Sequence, residues 1–569
     1  MELERNNSIF SLAERIPVVL WIFVISRYSV NVPWFDDFDP FPDFLRSWTQ
    51  AGTVGDKVAL LFQPNNEHRM VIGKLITLLY FKLSGTLNIT FIHVAGGGFT
   101  LGTLALIRSA FKKQNFNIWY FLPVPFLLFQ FQYHLVFLWA ICSMQHQTVV
   151  FFVVLSMFLL SRHRFGWAVL AAICATFAMS SGIFVWIAGA VILILRSSYR
   201  QLGIWVLVAA IAIGFYFSGM SPQGNEASIA FLIKNPHLSV LGFFAFLGGL
   251  FDLFPQKDVV TRSVLPVVMG FAAMLWVSIW LFATSLPWLK RTWGITLKGP
   301  GFITPPHQER SEKKSFQEFL LGIMLFLLAN GLIIGLLRPR FGFSVMIVSN
   351  YKLYPALFLI VTYLSFLSST NEAVQNRVFR SAAVISVLIW GISIYTYLPA
   401  ISERRKFLMA NAYNQEHNGF GLGHVPLSTS AKYVDKLMKE MVRAGIYRYP
   451  PESELLALQI KNMDKPVTSD LGVMYKIEGN SVWVEDSTAP FSLERGTGQY
   501  AFLRRGSKIY VFKLTQKSYT GRNPLKQFDK GSLVEIPFSS VEPGTYQLGV
   551  IKADNYNFTG GILRNIDVP

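Results

Sequence analysis

Cysteine is nearly absent. Cys142 and Cys174 are the only two in 569 residues, and both fall in apolar surroundings. Two such thiols make neither a disulfide framework nor a zinc site. Charge is scarce as well: Asp, Glu, Lys and Arg make up 15% of the chain, against 52% hydrophobic residues that include 50 Phe and 14 Trp. That balance excludes an ordinary soluble domain and points to a polytopic membrane protein. Acid is the scarcer sign, with 33 Asp and Glu against 51 Lys and Arg. The basic surplus does not read as nucleic-acid binding, because it clusters in short loops between apolar segments, the pattern that orients membrane spans. Internal repeats are missing, which weakens a transporter built on inverted repeats. The first apolar stretch has no small-residue cleavage site after it and reads as a retained anchor.

Apolar runs are plentiful. Eleven read as spans, at roughly 16–31, 88–111, 117–133, 147–162, 166–180, 181–197, 203–219, 262–286, 317–337, 353–369 and 380–399, several of them shorter than the ~20 residues a perpendicular helix needs. Two more, 70–86 and 239–255, either cross or lie at the surface. If they do not cross, one face collects Arg108, Lys112 and Lys113; Arg162 and Arg164; Arg196 and Arg200; Lys290 through Lys314; then Arg377 and Arg380. That face is the cytoplasm by the positive-inside rule, and the non-crossing arrangement satisfies the rule better. The outer face then holds 32–87, a turn near 134–146, 219–261, 338–352 and everything after about 400.

The expected fold is a polytopic α-helical membrane protein of about eleven transmembrane helices with a C-terminal extracytoplasmic β-rich, sandwich-like domain. Residues 1–400 form the transmembrane domain, with 32–87 as its first outer loop and its juxtamembrane helices. Residues 401–465 read as a polar helical connector. From 466 to 569 the period turns to two, as in "NSVWVEDS" and "GTYQLGVIKA", with Gly, Pro, Asn and Asp between the runs, the mark of short strands.

Against that background, "PWFDDFDPF" (33–41) places three acids directly after the first span. Asp39 before Pro40 reads as a helix N-cap. Asp36 and Asp37 lie upstream of that cap, and paired carboxylates at a membrane surface suit a general base or a cation site. A second polar cluster, Asn65 to Arg69, opens an apolar helix that ends at Gly85. An interfacial helix explains the apolar part; it does not explain Glu67, His68 and Arg69 together. The turn at 130–147 carries Gln132, Tyr133, His134, Gln145 and His146 with no Lys or Arg, polar aromatics that suit a sugar or simply a solvated boundary. Asp, Glu and His together would suit a divalent ion, yet no close ligand spacing supports one, so no cofactor is expected with certainty. "VAGGGF" (94–99) has no strand before it and reads as close helix packing, not a nucleotide loop.

This opening resembles the GT-C glycosyltransferases, among them the bacterial aminoarabinose transferases, the protein O-mannosyltransferases and the oligosaccharyltransferases. The resemblance lies in an aromatic followed by two acids after the first span (Trp34, Phe35, Asp36, Asp37), a polar motif opening a juxtamembrane helix (Asn66 to Arg69), and a span ending in basic residues. It covers residues 1 to about 115; beyond that it rests on span count. The second motif departs from the aminoarabinose transferases, which have Lys-Pro-Pro-Leu there. The resemblance implies transfer of a sugar from a polyprenyl-phosphate carrier to an extracytoplasmic acceptor (glycan, lipid or protein) by a multi-pass protein of a bacterial cytoplasmic membrane. Asp37, or else Asp36, is then the catalytic base. The departing phosphate needs cations, and the outer-face candidates are Arg338, Arg340 and Lys352, with Arg69 as a further one. Asn66, Glu67, His68, Gln132, His134 and Tyr351 are the substrate-binding candidates. The competing readings are a transporter or flippase for a polyprenyl-linked glycan or lipid, which would need ionisable residues within the spans, and a non-catalytic binding protein working through its β domain.

Overall fold

The computed structural model describes residues 2–65, 68–220, 226–294, 311–463, 466, 472–521, 523, 526–555 and 557–569. Contacts group the chain into two units. The first comprises Met1–Phe23, Leu61–Leu75 and His93–Tyr395. The second comprises Val24–Leu60, Ile76–Ile92 and Thr396–Pro569.

The first unit is helical. Among the described residues, seven helices are long and apolar enough to cross a membrane: Ile89–Phe111, Ile118–Leu138, Ala140–Ser161, Tyr199–Phe217, Val259–Trp293, Glu312–Leu337 and Glu372–Asn418, the last continuing into the second unit. The number becomes eight if Ala227–Lys234 and Pro236–Leu247, bent by 101°, count as one span. Phe165–Thr176, Ser180–Leu195 and Leu353–Ser369 are apolar helices of only 10–17 residues. Glu2–Tyr28 is the first helix of the chain. Every stretch read as a span is thus helical, while the expected count of eleven exceeds the helices that meet the length requirement. Local chemistry sets the ends. Val259–Trp293 starts where Asp258 accepts a hydrogen bond from Thr261 N (3.0 Å) and stops at Gly294, whose φ of 65° suits glycine. The segments read as non-crossing are short. Val71–Ser84 has 14 residues and Pro236–Leu247 has 12, about 21 and 18 Å at ~1.5 Å per residue.

Glycine packs these helices. A Cβ on Gly248 would fall 1.9 Å from Pro266 O, and one on Gly270 would fall 2.0 Å from Phe244 O. The helices Pro236–Leu247 and Val259–Trp293 therefore approach backbone to backbone, as small residues permit between membrane helices. Gly96 of the "VAGGGF" run makes room for a side chain instead, a Cβ there falling 2.0 Å from Ser143 Oγ.

The second unit contains the expected sandwich. Its strands are β1 (Val473–Glu478), β2 (Ser481–Asp486), β3 (Gly498–Arg505), β4 (Lys508–Lys513), β5 (Thr515–Ser518), β6 (Phe528–Pro537), β7 (Gly544–Asp554) and β8 (Asn557–Val568). They form two antiparallel sheets of order β1-β2-β6-β5 and β4-β3-β7-β8. Val482, Val484 and Ile536 of one sheet share a buried core with Leu503, Leu548 and Val550 of the other, the interdigitation that holds two sheets face to face.

Two boundaries differ from expectation. Glu372–Asn418 is one helix of 47 residues with Pro399 inside it, so no break separates the last span from the connector near 400. And most of the first outer loop belongs with the C-terminal region. Phe35 N donates to Leu422 O (3.0 Å), Leu87 N to Ile446 O (2.6 Å) and Tyr447 OH to Asn31 O (2.6 Å), and Arg46 pairs with Glu440 (3.1 Å).

Candidate functional site

Within the second unit, the acidic stretch is not extended. Phe35–Asp37 is a single 3-10 turn, followed by a wide helical turn over Asp39–Asp43. Asp39 is the first residue of that turn and Phe38 stands at the cap, so the expected N-cap role of Asp39 is corrected. The turn separates the acid pair. Asp37 is 1% exposed, and its carboxylate accepts the Trp34 N–H at 2.8 Å. Asp36 is half-buried and borders His424 and Asp39. Burial, reinforced by the Asp39 charge, raises the Asp36 pKa above the ordinary carboxylate value. Burial lowers that of His424. A carboxyl pushed upward is a better proton acceptor near neutrality, while still ionised. Of the two acids, Asp36 has the base-like surroundings, and Asp37 holds the turn.

The turn is strained. Phe35 has φ of 49°, a left-handed conformation that an L-residue with a bulky side chain rarely adopts. Its ring stacks on His424 at 5.5 Å. Gly423, at φ 99°, lies so close that a Cβ there would be 3.0 Å from Phe35 Cβ. Strain maintained by surrounding contacts is concentrated at functional positions.

Within the first unit lies a cavity of about 790 Å³. Its polar lining comprises His68, His146, Arg338, Tyr351 and Tyr354, with Ser181 and Asn330; its apolar lining includes Ile333, Leu337, Phe184 and Phe217. Arg338 follows the helix Ser311–Leu337 directly. His146 sits on a wide π turn, Ser143–Gln147, and its Nδ1 is 2.8 Å from Tyr354 OH; such turns inside helices recur at functional sites. His68 Nδ1 is enclosed and has no hydrogen-bond partner among the described residues. Burial, then the Arg338 charge, pushes the His68 pKa down to about 4. The imidazole is therefore neutral at physiological pH, and any anion entering the cavity would raise its proton affinity.

Of the sequence candidates, His68, Arg338 and Tyr351 come together here. Arg340 does not line this cavity; it stands over the Phe341 ring at 4.5 Å. His134 begins a short helix, its Nδ1 3.5 Å from Ser349 Oγ. Asn66 and Glu67 lie outside the described residues. Arg69 is corrected from phosphate ligand to structural clamp. It is 6% exposed, and its guanidinium donates to three backbone carbonyls: Tyr216 at 2.6 Å, Phe62 and Ser218. Replacing Arg69 with Gln is expected to cost about 2–3 kcal/mol of stability, since the buried carbonyls lose charged donors. A thermal-unfolding comparison with wild type measures it.

Lys352 and Gln132 are also corrected. Lys352 is 1% exposed and donates to Asp252 (2.8 Å) and to Gln132 Oε1 (3.2 Å). Asp252 is itself held by Arg262 at 3.0 and 2.7 Å, and Gln132 Nε2 donates to Leu250 O (2.8 Å). Lys352 is thus committed to this buried network and is not among the residues that line the cavity. Tyr354 and Asp252 carry no site role in the sequence reading, and His146 enters it only as one polar residue of the 130–147 turn that suits a sugar. A lone acid in the apolar run "LGGLFDLFP" was the available signal for Asp252.

A group with metal-ligand spacing occurs elsewhere, in the second unit. Glu416, His417 and Glu454 offer ligand atoms within 4.8 Å of one another, and His417 Nε2 lies 2.5 Å from Glu454 Oε1. These three do not include the first-loop acids. No protein-family model, curated protein or solved structure matches the chain.

Proposed function

We propose that the protein is a membrane glycosyltransferase of the GT-C kind, moving a sugar from a polyprenyl-phosphate carrier to an acceptor outside the cytoplasm. The observation that carries this reading is the cavity in which Arg338, His68 and His146 share a lining with Ile333, Leu337 and Phe217. A phosphate with a prenyl tail has that same division: an anion needing charged or ring N–H donors, and a hydrocarbon chain needing apolar wall. In this reading Arg338 takes the phosphate and the two imidazoles donate to it. A general base accepts the proton of the acceptor hydroxyl. The acceptor oxygen bonds to the anomeric carbon, the bond from that carbon to the phosphate oxygen breaks, and the polyprenyl phosphate leaves with the electron pair. The partners are the lipid-linked donor, the acceptor and the surrounding lipids.

The test is donor binding by the full-length protein in nanodiscs. Arg338→Gln is expected to weaken binding of a polyprenyl-phosphate sugar about 10- to 100-fold, the loss of a charge-assisted hydrogen bond. Unchanged binding sinks the reading. A lipid-phosphate carrier or flippase is the second reading, favoured by the same amphipathic cavity. It would deliver the donor to the other leaflet intact, where the transferase leaves polyprenyl phosphate and a glycosylated acceptor.

A further inference from the structure

The second unit has a cavity of its own, about 450 Å³, and it lies apart from the acidic turn. Four cations line it: Arg27, Arg405, Lys406 and Arg495. Three of them have carboxylates. Arg27 pairs with Glu494 (3.3 Å), Arg495 with Glu452 (3.1 Å) and Lys406 with Glu403 (3.3 Å). Glu403 is shared, since Lys513 also reaches it at 2.5 Å. Arg405 has none. It is 5% exposed, its Nε has no hydrogen-bond partner, and among the described residues its guanidinium makes no ion pair. A buried guanidinium in that state is costly, because desolvation is repaid only by a counter-charge and satisfied N–H groups. Glu452 lines the same cavity and its charge acts on Arg405, but its ion pair is with Arg495, so the four cations leave room for a further anion.

We infer that the cavity around Arg405 is a binding site for a phosphate-bearing ligand. The planar fork of an arginine matches phosphate oxygens in pairs, and Arg27 and Arg495 flank it with further positive charge. Met409, Leu456 and Phe558 give the same cavity an apolar side for the rest of the molecule. Two sources supply this chemistry. Arg27 stands in the last turn of the helix Glu2–Tyr28, and Arg405 follows the apolar part of Glu372–Asn418, so a lipid headgroup is one source if those apolar stretches cross a membrane. A soluble phosphorylated saccharide carries the same group. The inference does not depend on the proposed transfer reaction.

The experiment follows thermal unfolding of the full chain, wild type beside Arg405→Gln. One arm titrates inorganic phosphate in neutral detergent with chloride-matched ionic strength. The other compares nanodiscs of phosphatidylglycerol with nanodiscs of phosphatidylcholine. A saturable rise of about 2–4 °C with phosphate in wild type, lost in Arg405→Gln, establishes a site for soluble phosphates. A rise only with phosphatidylglycerol, again lost in the variant, establishes a headgroup site. Equal responses of the two proteins in both arms overturn the inference. If Arg405→Gln does not fold, Arg495→Gln at the cavity rim takes its place; a phosphate and lipid response identical to wild type then overturns it, and a reduced one supports it.

Discussion

Asp36→Asn is expected to lower sugar transfer by roughly 10²–10⁴, the usual worth of a general base, while leaving the unfolding midpoint near wild type. The half-buried Asp36 side chain sits beside His424 with a raised pKa, and Asn keeps its shape without its proton affinity. Asp37→Asn gives the contrasting result. Asp37 accepts the Trp34 N–H inside a strained turn, and an amide oxygen can accept that bond too, so activity falls less and any loss tracks stability. Assaying both variants against a polyprenyl-phosphate sugar, with unfolding measured in parallel, separates the roles. Full activity in Asp36→Asn would refute the base assignment. A larger loss in Asp37→Asn at unchanged stability would move the assignment to its neighbour.

Asp252→Asn is expected to remove about 3–5 kcal/mol of stability, the range for breaking a buried ion pair from one side. Its carboxylate bridges Arg262 and Lys352, and Lys352 is almost fully enclosed. Burial already pushes the Lys352 pKa down to about 8, against the pull of Asp252. Without that carboxylate it falls further. A lysine whose folded pKa lies below its unfolded value binds fewer protons when folded, so stability rises with pH between the two values. The variant enters that window at lower pH than wild type. Its deficit therefore shrinks as pH rises toward 8, which unfolding curves across neutral to alkaline pH will show. A deficit independent of pH would mean that packing, not charge, sets the loss.

How much of this was readable in the residues varies with the range of the interaction. Period-two runs such as "SVWVED" carry their own burial pattern, and the two sheets formed where those runs lie. Apolar runs likewise became helices. Adjacent, identical acids could not be told apart, because Asp36 and Asp37 differ only through a turn held by Leu422, Gly423 and His424. Arg69 reads as an outer-face cation, but two of the three carbonyls that occupy it, those of Tyr216 and Ser218, come from a stretch nearly 150 residues away. Lys352 looked the same, and its counter-ion lies 100 residues earlier. From sequence alone, His146 reads either as a sugar-facing residue of the 130–147 turn or as a solvated boundary histidine. Its place in the cavity depends on Tyr354 and on residues of the 61–75 segment.

The composition of the second unit bears on how the chain is made. Val24–Leu60 and Ile76–Ile92 leave the ribosome early, yet the residues they pack with begin at Thr396, over 300 residues later. At ~5–20 residues per second of synthesis, the acidic turn waits roughly 20–80 s before Leu422 and His424 exist to hold it. During that interval Phe35 has no reason to stay left-handed. A nascent chain or a C-terminal truncation that stops before Leu422 would thus carry every residue of the acidic motif without its shape.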